Sequence, residues 1–420
     1  MKVRVSPSQC SGKVVIPPSK SMAHRAIICA SLAQGKSTIT NVTYSQDIKT
    51  TIEGMRLLGA KIEMKEDSVI VEGITDFSLQ QEEVFCCESG STLRFFIPIF
   101  SLCNTTVRFT GQGRLMHRPQ KVYEVLFHEQ GLTFEQDENG ITIQESLKPG
   151  DYTLKGDISS QFISGLLFTL PLMKEDSILH ILPPFESRSY VDLTLQMLET
   201  YGIHVTMQDD HTICIPGNQS YQPHDYAIEG DYSQLAFFAV LAAIQHDLTI
   251  TGVNLNSRQG DRQIIDILHS FGVKVEEVER GYHVYQGITH TAEIDLANCP
   301  DLGPILTVLA MYSPGNTRIY NAGRLRIKES DRIEAMETEL RKFGVDIHST
   351  EDEIFITGAD SYTCKEELFG HNDHRIVMAL SVALTCSNKD GFITDAQAIN
   401  KSYPAFFEDL TRIHGKVEEV

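Results

Sequence analysis

One interval governs what this chain can fold into. A segment that ends in a glycine corner and runs into β-branched residues recurs as LLGAKIE at Gly59, EQGLTFE at Gly131, TYGIHVT at Gly202, SFGVKVE at Gly272 and KFGVDIH at Gly344, with a degraded sixth copy, IHGKVEE, at Gly415. Successive glycines lie 72, 71, 70, 72 and 71 residues apart. The residues ahead of each glycine have the amphipathic spacing of a helix end, as in Arg332 to Phe343 (RIEAMETELRKF). Glycine suits the position just past a helix because it accepts a left-handed backbone there. The alternation that follows is a strand signal.

Two further series keep nearly the same period. Ser21, Ser91, Ser159, Asp231, Asp301 and Asp373 each stand ahead of an almost wholly apolar stretch and read as N-caps. A helix apolar on nearly every face must be buried on nearly every face. Asp47, Arg118, Ser187, Arg258, Glu329 and Lys401 read as the starts of the amphipathic helices. Each unit of about 70 residues then holds one buried helix, one amphipathic helix and several short strands. That places the chain in the α/β (α+β) class. Open solenoids use shorter periods of about 20–50 residues, so closed packing is expected: two domains of three units, with a break near Glu229-Gly230.

The formal net charge is −20 over 420 residues, which argues against a nucleic-acid or anionic-membrane partner. Nine cysteines without a C-x-x-C pair fit free thiols in a reducing cytoplasm. The opening MKVRVSPSQC has no apolar core of a secretory leader. No His, Cys and carboxylate spacing suggests a metal, and no cofactor is expected.

Polar residues with binding chemistry gather at the helix starts. Lys20-Ser21-His24-Arg25, Ser89-Gly90-Ser91, Arg118, Ser159-Ser160-Gln161 and Ser187-Tyr190 lie in the first half. Asp301, Lys328-Glu329-Arg332, Asp373-His374-Arg375 and Lys401 lie in the second. Ser and Asp there are usually just caps, and a lone Arg is usually a solvated charge. But a cation in a first turn opposes the helix dipole by about 0.3–1 kcal/mol. Arg25, Arg118, Arg332 and Arg375 near N-termini therefore point to shared anionic ligands, since guanidinium grips phosphate and carboxylate with two prongs. Asp301 and Glu329, set among cations, are either counter-ions or general acids and bases.

PPSKSMAHRA, ESGSTLRF, MHRP, SSQF, ESRSYVD, EGDYS, RQGDR, CPDLGP, RIKESDR, NDHR and KSYP follow one another across almost the whole chain. Together they resemble the EPSP synthase family of enolpyruvyl transferases. The resemblance implies a two-domain inside-out α/β barrel of six βαβαββ-type repeats. It assigns residues 1–18 with 230–420 to one domain and 19–229 to the other, with the active site in the cleft between them. It implies transfer of the enolpyruvyl group of phosphoenolpyruvate to the 5-hydroxyl of shikimate 3-phosphate, in a cytoplasmic monomer.

Carried over motif by motif, the shikimate 3-phosphate contacts are Lys20, Ser21, Arg25, Ser159, Ser160, Gln161, Ser187, Tyr190, Asp301 and Lys328. The phosphoenolpyruvate contacts are Lys20, Gly90, Arg118, Gln161, Arg332, Arg375 and Lys401. Asp301 is the implied base at the 5-hydroxyl, with Glu329 and Lys20 as carriers of the other protons. Gly90 leaves room at the donor site, so glyphosate inhibition is expected. The chain departs from the family pattern with Glu88 for Asn, Ser91 for Thr, Phe95 for Pro and Arg324 for Asn. The rivals are a UDP-N-acetylglucosamine enolpyruvyl transferase, whose usual cysteine is missing from GQGRLMHRP, and a non-catalytic phosphometabolite-binding protein, which would have no need of Asp301, Glu329 and Lys20.

Overall fold

A computed structural model describes all 420 residues. They form two compact units, Met1–Pro17 with Glu229–Val420 and Pro18–Ile228.

Twelve helices alternate in kind. The buried set is α1 (Lys20–Leu32), α3 (Gly90–Ser101), α5 (Ser160–Thr169), α7 (Tyr232–Ile244), α9 (Gly303–Met311) and α11 (His374–Thr385). The amphipathic set is α2 (Gln46–Leu57), α4 (Lys121–Glu129), α6 (Arg188–Thr200), α8 (Ile264–Ser270), α10 (Arg332–Arg341) and α12 (Phe406–Arg412). In α7 every residue from Tyr232 to Ala243 is buried. Truncating one of its aromatic anchors, such as the fully buried Phe237, would cost about 3–5 kcal/mol.

Ser159, Asp231 and Asp373 cap their helices through the side chain, as expected. Ser21 and Ser91 do not: the caps are Ser19 and Ser89, two residues earlier. Each stretch offers two serines, and only the earlier one has the extended backbone from which its oxygen reaches back over the first turn. Asp301 is not a cap either. It sits in a 3₁₀ turn, Pro300–Leu302, ahead of α9. Among the amphipathic helices, α2 is capped by Ser45, with Asp47 in its first turn. Arg118, Arg258, Glu329 and Lys401 fall in or beside the connections and 3₁₀ turns that precede the helices. Arg25 lies in the second turn of α1. Only Arg332 and Arg375 occupy first turns, at the first and second helical positions.

The glycine corners behave as the period requires. Gly59, Gly131, Gly202, Gly272 and Gly344 all have positive φ, between 70° and 108°. Each closes a helix with paired bonds: Gly59 N–H to Arg56 O at 3.0 Å and Ala60 N–H to Met55 O at 3.0 Å are typical. The sixth copy differs. There His414 takes the left-handed residue's place at φ 74°, bonding Thr411 O at 2.9 Å, while Gly415 N–H reaches Leu410 O at 2.8 Å. The turn is conserved in geometry, and the glycine of the written motif falls one residue after its left-handed position.

Six four-stranded sheets share one plan: a short strand parallel to a central strand, then two antiparallel strands. Chain order is broken at three places. The strand Gly12–Val15, which precedes α1, pairs with Leu248–Thr251 in the fourth sheet. The strand Tyr226–Ala227, which precedes α7, pairs with Ile39–Thr40 in the first. Each unit thus uses the strand that sequence order would hand to the other. Val3–Ser6 completes the sixth sheet between Gly391–Ile393 and Lys416–Glu419. No helix is long and apolar enough to cross a membrane, and no group of three or more His, Cys, Asp or Glu side chains could hold a metal ion.

Candidate functional site

In the Met1–Pro17 and Glu229–Val420 unit, Arg332 opens α10 and is 2 % exposed. Its Nε donates to Asp373 Oδ2 at 2.8 Å, its Nη2 to Glu329 Oε2 at 2.7 Å and its Nη1 to Asp301 Oδ1 at 3.2 Å. Asp373 caps α11 by accepting from Arg375 N–H at 2.9 Å and takes a further bond from Ser330 Oγ at 3.0 Å. Arg375 Nη2 donates to Asp301 Oδ2 at 2.9 Å and to Ser233 Oγ, in the first turn of α7, at 3.0 Å. Lys328 Nζ approaches Asp301 Oδ1 at 3.4 Å. Lys401 Nζ donates to Asn372 O at 2.6 Å, beside this cluster.

The starts of α7, α9, α10 and α11 therefore meet around three carboxylates and three cations. Burial alone would raise the Asp301 and Asp373 carboxyls. The surrounding cations prevail: Arg375, Lys328 and Arg332 hold Asp301 well below the usual carboxylate range, and Arg332 holds Asp373 down. Burial lowers Lys328, with Asp301 opposing. For Arg332 burial works against the charge, yet Asp373, Glu329 and Asp301 raise its pKa overall.

The Pro18–Ile228 unit holds its cations differently. Lys20 Nζ pairs with Asp47 Oδ2 at 2.8 Å. Arg25 donates to Thr194 Oγ1 at 2.9 Å, Ser21 O at 2.8 Å and Tyr190 O at 2.9 Å, with its guanidinium over the Phe95 ring at 5.4 Å. Burial pulls its pKa down to about 10, so it remains charged at neutral pH. Arg94 donates to Gln161 Oε1 at 2.7 Å and Pro119 O at 3.2 Å, and Gln161 Nε2 to Ser91 Oγ at 2.9 Å. Ser159 caps Gln161 N–H at 3.3 Å, and Ser160 begins α5. A Cβ built on Gly90 would lie 2.7 Å from Arg118 Nη1 and 3.6 Å from Gln161 Oε1. Gly90, Arg118 and Gln161 thus share one spot. Ser187 starts α6 from a left-handed backbone at φ 53° and makes no side-chain cap. His24 is kept neutral by burial, with Lys20 and Arg25 adding to the effect. Its Nδ1 joins a buried hydroxyl chain, Thr51 at 2.7 Å, Thr92 at 2.8 Å and Ser89 at 2.8 Å, that runs from α1 to the start of α3.

Several of the expected residues of each unit therefore lie together: Asp301, Lys328, Glu329, Arg332 and Arg375 in one network with Lys401 beside it, Gly90 with Arg118 and Gln161, and Arg25 with Ser21 and Tyr190. Sequence reasoning missed their holders. Asp373 was visible as a cap and as a member of a polar helix-start cluster but not as the partner of Arg332, Asp47 only as a helix start, and Arg94 only as part of a motif. Two departures acquire a place: Ser91 accepts from Gln161, and Phe95 floors Arg25. Arg324 Nη2 donates to Ala297 O at 2.7 Å.

Comparison with known proteins adds the following. The profile of the EPSP synthase (3-phosphoshikimate 1-carboxyvinyltransferase) family matches residues 5–410. A 3-phosphoshikimate 1-carboxyvinyltransferase of Clostridium perfringens is 44% identical over 422 residues, covering 100% of this chain and 99% of that protein. One from Clostridioides difficile is 42% identical over 432 residues, covering 99% and 98%. The solved EPSP synthase of Acinetobacter baumannii superposes with TM-score 0.81 at 24% identity over the full length of both chains. The enolpyruvyl transferase NikO of Streptomyces tendae gives 0.80 at 15% identity, covering 100% and 98%. At those identities the two structures speak for the fold.

Proposed function

The chain belongs to the EPSP synthase family of 3-phosphoshikimate 1-carboxyvinyltransferases, and from that premise we propose how its own residues divide the reaction. The methylene carbon of phosphoenolpyruvate is protonated while the 5-hydroxyl of shikimate 3-phosphate attacks C2. The tetrahedral adduct then loses phosphate and a methyl proton, which restores the enol ether. Asp301 takes the hydroxyl proton. Glu329 and Lys20 carry the proton to and from the methylene carbon. Arg118, Arg332, Arg375 and Lys401 hold the donor's carboxylate and phosphate and stabilise the charge that builds on the departing phosphate. Gly90 keeps the space beside Arg118 clear for the donor. Lys20, Ser21, Arg25, Ser159, Ser160, Gln161, Ser187, Tyr190, Asp301 and Lys328 bind shikimate 3-phosphate.

The observation that carries this reading is the Asp301 carboxylate, with both oxygens engaged by Lys328, Arg332 and Arg375. In that state it is too weakly basic to take a proton. An anionic donor competes for the same cations. As they turn to phosphate and carboxylate, Asp301 loses their stabilisation and its proton affinity rises, so arrival of the donor arms the base.

Phosphate release from phosphoenolpyruvate tests the assignment. Release is expected with shikimate 3-phosphate as acceptor and not with UDP-N-acetylglucosamine; the opposite result would sink it. An Asp301→Ala enzyme that kept the parent's turnover would remove the base role and leave the reaction standing.

A further inference from the structure

The segment from Phe369 to Asp373 links a short strand, Leu368–Phe369, to the start of α11. Two successive residues in it, His371 at φ 51° and Asn372 at φ 49°, have left-handed backbones, a conformation uncommon for residues with a side chain, least so for His and Asn. One holder of the segment is Arg332, at Asp373. The other is Glu339, two turns further along the same face of α10. Glu339 is 1 % exposed. Its Oε2 accepts from Phe369 N–H at 2.9 Å and from Lys342 Nζ at 2.8 Å. Its Oε1 lies 3.1 Å from His371 Nε2, which carries the proton because an ionised carboxylate can only accept. Asn372, inside this strap, supplies the carbonyl that holds Lys401. Asp373, at its end, caps the helix that carries Arg375.

We propose that Glu339 is a positioning residue for donor binding: it pins Phe369–Asn372 along α10 so that Asn372 O and Asp373 present Lys401 and Arg375 to the anionic donor. The inference rests on the donor-binding roles given above to Lys401 and Arg375. Glu339 touches no ligand and no reacting atom; it acts through the backbone between its own anchor and theirs. A buried acid kept only for stability would affect both substrates alike, or neither.

The test is steady-state phosphate release, with phosphoenolpyruvate affinity measured calorimetrically in the absence of the acceptor, where no turnover occurs. Glu339→Ala is expected to raise KM and Kd for phosphoenolpyruvate about tenfold and to leave the shikimate 3-phosphate KM within about twofold. Glu339→Gln keeps an amide oxygen for Phe369 N–H and should recover part of the loss. In a Lys401→Met background, Glu339→Ala should cost less than it does alone, because both changes act on one contact. If Glu339→Ala does not fold, Glu339→Gln and His371→Ala carry the same comparison with smaller shifts of the same sign. A folded Glu339 variant with parental phosphoenolpyruvate affinity, an equal loss for both substrates, or full additivity with Lys401→Met would overturn the inference. If Lys401→Met and Arg375→Met themselves bind phosphoenolpyruvate like the parent, the site reading fails first and takes the inference with it.

Discussion

The two units repeat one scaffold and treat charge in opposite ways. Around Arg332, cations and carboxylates are matched three against three, and each buried charge is answered by another charge. Around Arg25, the acceptors are a hydroxyl and two backbone carbonyl oxygens, while Lys20 pairs with Asp47. Neutral acceptors satisfy a guanidinium's hydrogen bonds but leave its charge in place. The first arrangement couples the protonation of its groups to one another, and the second leaves a buried positive charge in place. Repetition fixes where helix starts fall; the choice of counter-groups decides whether a buried charge there is balanced by other charges or only by neutral acceptors.

The sharpest way to break this comparison is to remove the base. Asp301→Asn keeps shape and hydrogen bonding but not charge, and kcat should fall about 10²- to 10⁴-fold; measured phosphate release near the parental rate would end the acid–base reading of that unit. Stability should separate the units next. Arg332→Ala strands buried carboxylates and should cost about 3–5 kcal/mol in urea unfolding. Arg25→Ala removes a donor from neutral acceptors and should cost about 1–3 kcal/mol. Equal costs would erase the distinction. Acid should do the same more gently. The folded Asp301 and Asp373 carboxyls lie below the ordinary aspartate value of 3.8. Their contribution is therefore present above that value and lost as pH falls toward the lower folded values. The urea midpoint of the Glu229–Val420 part should drop there before that of Pro18–Ile228, followed by hydrogen exchange. The smallest effect is expected at Gly90→Ala, whose methyl crowds only the far end of the flexible Arg118 side chain and reaches ordinary contact with Gln161 Oε1. KM for phosphoenolpyruvate should rise about three- to tenfold, with weaker inhibition by glyphosate; an enzyme no more resistant than the parent would count against the placement of Gly90.

Much of the fold was legible because burial and helix termination recur in every unit. A helix buried on all sides leaves an apolar run, and a Schellman turn leaves a glycine, so both keep the period in plain view. Legibility failed where two residues could serve one purpose. Ser19 and Ser21, or Ser89 and Ser91, offer the same oxygen, and only backbone direction selects between them. At the sixth corner His414 replaced glycine, and the written motif slid by one residue while the turn did not. The site was half legible. Arg332 and Arg375 announce themselves by opposing a helix dipole, but Asp373 meets Arg332 across 41 residues of chain, and no local pattern records such a contact. The strand exchange left no trace either, since segments of two to four residues carry too little pattern to name the sheet they join.

That exchange has a consequence for the order in which the molecule can be made. Once Ile228 has left the ribosome, every strand and helix of the Pro18–Ile228 unit exists, Tyr226–Ala227 included, and that unit can close while synthesis continues. The strands ahead of Pro18 have no such opportunity. Gly12–Val15 waits for Leu248–Thr251, and Val3–Ser6 waits for Gly391–Ile393 and then for Lys416–Glu419. A segment made before the Pro18–Ile228 unit thus finds its place after that unit can close, and the other unit is sealed only when Val3–Ser6 meets Lys416–Glu419 in one sheet.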